Sequence, residues 1–191
     1  MGLADLHTHS TYSWDGTAGV DEILEHAAHH AGLDVIAITD HDELRGGLEG
    51  REKARCYGLE VIPGMEVTSA DGHVLALFIE RPIPAGRTLE TTLELVGEQG
   101  GLCVAPHPMA RWTPSLSEDV LRRALADPDL AEVLVGIEVW NAGLVRRGSN
   151  LRARALAETL PVAHVGDSDS HLAWSIGFAA TRFHGHTAGH L

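Results

Sequence analysis

Residues 4–16 read ADLHTHSTYSWDG and set His7, His9 and Asp15 just beyond the apolar run LADL. Side chains two residues apart in an extended segment share a face, so the HTH spacing turns both imidazoles the same way. One such pair decides nothing, because ordinary core and surface histidines pair in the same manner. The other strand-like runs supply the weight. DVIAIT leads into Asp40 and His41, VIPGME into Glu66, and the turn ADG is followed at once by His73. GLCVAP leads into His107, and VAHVG into Asp167, Asp169 and His171.

Helical segments separate these runs. VDEILEHAAHHA is helical with Gly32 as its stop, and a second helix ends near Gly58. TLETTLELVGEQ, SEDVLRRALA with Ser117 as N-cap, and NLRARALAETL are helical as well. LEVIPGMEV and HVLALFI form a hairpin about ADG, while VGIEVW and FAATRF are extended. Strands apolar along their whole length and joined by helices predict an α/β fold with a covered parallel sheet. About seven such units in a single domain, residues 1–191, favour a TIM-like barrel. A doubly wound open sheet is the alternative. In a barrel the strand ends meet on one face, which gathers these scattered residues into one cavity. The tail TAGHL reads as the first turn of a helix cut short, so a C-terminal helix is expected to be missing.

Composition narrows the chemistry. With 191 residues, 44% of them hydrophobic, the chain can build one sizeable core. No apolar run approaches the ~20 residues of a membrane span. The N-terminus lacks the basic and apolar regions of a secretory signal, so a cytoplasmic protein with no membrane partner is expected. A net charge of -13 argues for a small-molecule partner over long nucleic acid. Cys56 and Cys103 are too isolated for a disulfide framework. Lys53 is the single lysine and sits in the helical stretch LEGREKARCYG, which removes Schiff-base, P-loop and carbamylated-lysine chemistry. Of the 13 histidines, His26, His29 and His30 read as surface or packing residues. His184, His186 and His190 fall in a polar tail with no assigned role.

Burying so many ionisable strand-end groups without a metal would be costly through desolvation. The candidate ligands are His7, His9, Asp15, His41, Glu66, His73, His107, Asp169 and His171, a thiolate-free set suited to Mn, Zn or Fe. Three carboxylates bring -3 to the cavity, and three divalent ions would leave about +3. A phosphate dianion with a hydroxide cancels that charge, whereas a neutral amide does not. Two ions, with some ligands idle, stay open.

At these residues the chain resembles the PHP (polymerase and histidinol phosphatase) family, through DLHTHSTYSWDG, ITDHD, PGMEV, APHP, GIEVWN and GDSDSH in that order. The resemblance runs from Leu3 to about Phe183. It implies a distorted (β/α)7 TIM-like barrel of the metal-dependent phosphoesterase type. It also implies a ligand scheme: His7, His9, Glu66 and Asp169 on a first metal, Glu66 bridging to a second held by His73 and His107, and Asp15, His41 and His171 on a third. Longer relatives carry an inserted helical cap; the short span Arg81 to Gly100 leaves no room for one.

The expected activity is hydrolysis of small phosphate monoesters, nucleotides or short oligonucleotide ends, by a metal-bound hydroxide with two or three divalent ions. Histidinol phosphate is the alternative substrate. A metal-dependent amidohydrolase and a non-catalytic metal-binding scaffold are the alternative classes. A serine nucleophile within DSDSH lacks a base once the histidines bind metal. Asp40 and Asp167 are read as groups that orient ligand imidazoles. Arg111 is read as a phosphate clamp, with Arg146 and Arg147 as weaker candidates.

Overall fold

In the computed structural model, residues 1–143 and 148–191 are described. Three parallel strands open the fold: β1 (Gly2–Asp5), β2 (Val35–Ile38) and β3 (Glu60–Ser69). The two-residue turn Ala70–Asp71 then reverses the chain into β4 (Gly72–Leu77), because so short a loop joins only antiparallel strands. β5 (Leu102–Ala105) runs against β4, and β6 (Leu134–Asn141) and β7 (Ala163–Asp167) follow parallel to β5. β8 (Thr181–Phe183) lies antiparallel on β1. The sheet order is β7-β6-β5-β4-β3-β2-β1-β8. The fold is thus the expected barrel-shaped α/β sheet, but it is not parallel throughout: β4 and β8 run backwards. The reversal of β4 has a direct use. It brings the start of that strand, with His73, to the face where its neighbours end.

Alternation along the strands sorts side chains into layers. Val35 and Ala37 face inwards with Ala4, Ile62, Leu75, Leu77, Val104 and Val165, filling the barrel from nearly every strand. Ile36 and Ile38 face outwards, onto Ile23 and Leu24 of helix α1 (Val20–His26). Each such fully buried aliphatic side chain contributes about 1.5–3 kcal/mol. After α1 a π-turn leads to Gly32, whose φ of 65° places it in the left-handed region and stops the helix as anticipated.

Helix α2 (Arg45–Lys53) approaches the sheet through glycines. A Cβ on Gly47 would stand 2.8 Å from the Gly64 amide nitrogen and 3.0 Å from the Ile38 carbonyl oxygen. On the opposite side, α3 (Leu89–Gly97), α4 (Glu118–Leu125), α5 (Pro128–Ala131) and α6 (Gly148–Ala157) close a second apolar layer over β3 to β6. The Ser117 hydroxyl caps α4 by accepting from the Val120 amide. Residues Ala188–His190 form a single 3-10 turn within TAGHL, the stretch that reads as the first turn of a helix.

The barrel closes between β1 and β7. Side chains replace ladder bonds there: the Leu6 amide donates to Asp167 Oδ1 at 2.8 Å, and the Ser168 amide donates to Asp5 Oδ1 at 3.0 Å. Above this exchange the backbones pair directly, with His9 N donating to Ser170 O at 2.8 Å. Below it, Thr181 of β8 bonds Gly166 of β7 through its hydroxyl.

Candidate metal centre

All eight residues expected at strand ends as His or carboxylate ligands gather with Asp15 beneath one cavity, and Glu66 stands at their middle. Its register against His41, an isolated parallel bridge beyond β2, carries it to the rim of the barrel. Oε1 of Glu66 lies 2.8 Å from His73 Nδ1 and 3.0 Å from His107 Nε2. Oε2 lies 3.3 Å from His7 Nε2, 3.5 Å from His9 Nε2 and 3.0 Å from His41 Nδ1. Each oxygen of one carboxylate therefore serves a different cluster of imidazoles.

The set around Glu66 Oε2 tests whether a metal fits. Asp169 Oδ1 lies 3.4 Å from both His7 Nε2 and His9 Nε2. Both nitrogens are buried and make no hydrogen bond, a costly state for a polar atom with no other use. Bonds of ~2.0–2.1 Å from nitrogen and oxygen to a divalent ion place tetrahedral ligand atoms about 3.3–3.4 Å apart. The four nitrogen–oxygen separations match that edge, so His7, His9, Glu66 and Asp169 fit a cation at their centre. A second group, Asp15, His41 and His171, has Asp15 Oδ2 at 3.3 Å from His41 Nε2 and 3.1 Å from His171 Nε2. Glu66, His73 and His41 or His107 make the remaining group.

Outer contacts set which nitrogen faces the centre of each cluster. Glu138 Oε1 can only accept, so the 2.7 Å contact fixes the His7 proton on Nδ1 and leaves Nε2 free. His171 Nδ1 likewise donates to the Asp169 carbonyl at 3.0 Å. The Ser115 hydroxyl donates to Thr113 O and accepts from His107 Nδ1 at 3.1 Å. Ser13 Oγ lies 3.2 Å from His9 Nδ1 and accepts from the His41 amide at 2.9 Å.

Comparison with known proteins identifies the family. The family model of the PHP domain matches residues 5–158, and a model of a PHP-associated region matches residues 147–189. This chain belongs to the PHP domain family. The uncharacterized protein MJ1587 of Methanocaldococcus jannaschii is 38% identical over 149 residues, which is 73% of this chain and 81% of that protein. A phosphoribosyl 1,2-cyclic phosphate 1,2-diphosphodiesterase of Eggerthella lenta is 37% identical over 99 residues, 46% of this chain and 37% of that enzyme. Among solved structures, a two-domain protein of Bacteroides vulgatus with a predicted PHP-like metal-dependent phosphoesterase superposes with a TM-score of 0.68 at 24% identity, covering 90% of this chain and 52% of that one.

Within this PHP domain, Glu138 is the residue that sequence reading missed. It is fully buried in the interior of the barrel, where Oε2 accepts from the His107 amide at 2.6 Å and from Asn141 Nδ2 at 2.9 Å. Asp40 and Asp167, expected to orient imidazoles, bond to backbone amides and, for Asp40, a serine hydroxyl instead. Asp40 accepts from the Ser10 amide at 2.6 Å, the Ser13 amide at 3.2 Å and the Ser10 hydroxyl at 2.8 Å, folding the loop that carries Ser13. Asp167 Oδ1 accepts from the Leu6 amide across the barrel closure.

Charged side chains at the centre of the PHP domain offset one another. Burial opposes charge on His7, yet Asp169, Glu66 and Glu138 raise it well above its ordinary 6.5. Burial also opposes charge on Glu66, but His7, His107 and His41 hold it well below the usual carboxylate range. Asp169 is lowered in the same way, against burial, by His7 and His9. His41 and His107 are raised by Glu66 despite burial, whereas burial lowers His9. Metal ligation requires these imidazoles unprotonated, so a cation and protons compete for them.

A cavity of about 480 Å³ opens above the ligands, lined also by Trp14, Asp42, Thr68, Trp112, Thr113, Pro114 and Gly143. Arg111, the expected phosphate clamp, is exposed and is not among the residues lining it, whereas its neighbour Trp112 is. Arg146 and Arg147 lie outside the described residues. Ser168 and Ser170 are buried away from the cavity lining, with Ser170 Oγ bonded to Leu172 O at 2.7 Å, which leaves neither placed as a nucleophile. Among the described residues, no helix is long and apolar enough to cross a membrane.

Proposed function

We propose that this PHP domain is a metal-dependent phosphoesterase that hydrolyses small phosphate monoesters, such as nucleotides or short oligonucleotide ends. The observation that carries this reading is the pair of buried, unbonded nitrogens of His7 and His9, each held against Glu66 and Asp169 at tetrahedral spacing. Bound there, divalent ions supply a water of lowered pKa and positive charge for phosphoryl oxygens. The chain's part is to place them: Glu66 ties two clusters together, Glu138 and Ser13 fix the imidazoles, and Asp15 carries the third cluster. The outermost ligands, Asp15, His41 and His171, are only half-buried and face the open cavity, where an ester can enter.

Phosphorus is favoured over an amide by charge. With three divalent cations the ligand carboxylates Asp15, Glu66 and Asp169 leave about +3, which a phosphate dianion together with a hydroxide cancels. Lys53, which a carbamylated amidohydrolase centre would require near the metals, is on α2, bonded to Asp21 at 2.6 Å and Glu49 at 2.7 Å. The similarity to a diphosphodiesterase points the same way. Phosphate release should be measured with Mn-reconstituted protein across nucleotides, sugar phosphates, histidinol phosphate and short oligonucleotides. Release from one class supports the proposal. Silence across all of them, with metals bound, overturns it in favour of a scaffold or an amidohydrolase.

A further inference from the structure

Among the described residues, the two most exposed large apolar side chains are Trp14 at 86% and Trp112 at 83%. Both line the cavity above the metal ligands. Exposed indoles are costly to hydration, and their coincidence at one ligand-sized opening marks a surface that a ligand covers. Both lie in loops tied to the candidate ligands. Trp14 falls between Ser13, bonded to Asp40 and His41, and Asp15, which contacts His41 and His171. Trp112 is in the loop after β5 that the His107–Ser115 contact pins. The Trp14 ring lies nearly parallel to His41, at 18° and 6.0 Å between centroids, so one indole face turns towards a ligand imidazole.

From this arrangement we infer that Trp14 and Trp112 select substrates by stacking on a flat aromatic ring, the base of a nucleoside monophosphate. The inference rests on the phosphoesterase reading and narrows its substrate class. A single phosphate reaches the ligand cluster while the base lies against the indoles at the mouth. A cavity of about 480 Å³ is within the range that takes one small ligand. Aromatic faces tolerate any base, so the selection is for the ring and not for its identity. A sugar phosphate reaches the metals equally well but gains nothing from the mouth.

The test uses the Mn-loaded full chain with two probes, adenosine monophosphate and ribose phosphate. The wild type should show a kcat/KM ratio for adenosine over ribose phosphate of about tenfold or more, the effect of one stacked face. Adenosine monophosphate should also quench indole fluorescence on binding. W14A and W112A should each raise the quenching Kd and lower the kcat/KM ratio by about tenfold, and W14F and W112F should recover most of both. Equal use of the two probes, or variants whose quenching midpoint stays within twofold, overturns the inference. If no ester is cleaved but quenching still depends on both tryptophans, the stacking site stands and the phosphoesterase reading falls. If phosphate is released and nothing quenches, the reverse holds.

Discussion

Glu138 Oε1 takes the Nδ1 proton of His7 at 2.7 Å, and its other oxygen holds the His107 amide at 2.6 Å. One buried carboxylate thereby sets two ligands that belong to different clusters around Glu66. In E138Q the amide can still accept from His107, but the –NH2 turned towards His7 forces that ring to accept on Nδ1 and protonate Nε2. Metal affinity at the His7–His9 cluster should fall about 10–100-fold, the usual effect of losing such an outer partner. Titration calorimetry or metal analysis checks this, and unchanged affinity would show that Glu138 only fills space.

His9→Ala removes one corner of the tetrahedral set while leaving the helices and barrel layers alone. Turnover should drop by more than about 100-fold, exceeding the effect of an outer partner, with the chelated protein still folded by circular dichroism. Full activity in H9A would sink the proposed metal chemistry.

Stability of the chelated protein should depend on pH in a definite direction. His7, His41 and His107 have raised folded values, so what they contribute is complete below their ordinary 6.5 and is lost as pH rises through those values. Asp5, pushed up to about 6 by burial, acts in the same sense, losing its contribution between 3.8 and about 6. Glu66 is depressed, so its contribution is present above its ordinary 4.5 and is lost as pH falls through the folded value. Thermal unfolding in chelator should therefore give a lower Tm at pH 8 than at pH 6. Saturating Mn should reverse that order, since ligand deprotonation favours the metal. Identical pH profiles with and without metal would contradict it.

Gly47→Ala should destabilise the fold by about 1–3 kcal/mol, because the new methyl meets backbone atoms of Gly64 and Ile38 that cannot move aside. The gain in helix propensity, at most about 1 kcal/mol, opposes but does not cancel this. A Tm equal to or above wild type would mean that α2 shifts outwards without loss.

The convergence of the candidate ligands was legible because strands end where apolar runs meet His, Asp and Glu, and a barrel brings such ends together. Glu138 was hidden for the converse reason: it lies inside the run LVGIEVWN, two residues after Gly136, and nothing local shows that its face is the barrel interior. The hairpin at Ala70–Asp71 was readable from ADG, although its consequence, a sheet not parallel throughout, emerges only when β4 sits between β3 and β5. Asp40 and Asp167 were placed near the centre but given the wrong partners, since sequence spacing does not say whether a carboxylate meets a ring or a backbone amide. Arg111 and Trp112 are adjacent in a loop, and only the loop's path decides which of them borders the cavity.

The exchange between Asp5 and Asp167 has a dynamic consequence. His7 and His9 extend from one side of that closure and Asp169 from the other, so a cation among them spans the place where the barrel has fewest ladder bonds. Breathing of the barrel and departure of this cation then become a single equilibrium. The amides of Leu6, His9 and Ser168 should exchange with solvent through that opening, fast in chelator and slowed in proportion to metal concentration, while those of β3 and β4 stay protected in both conditions.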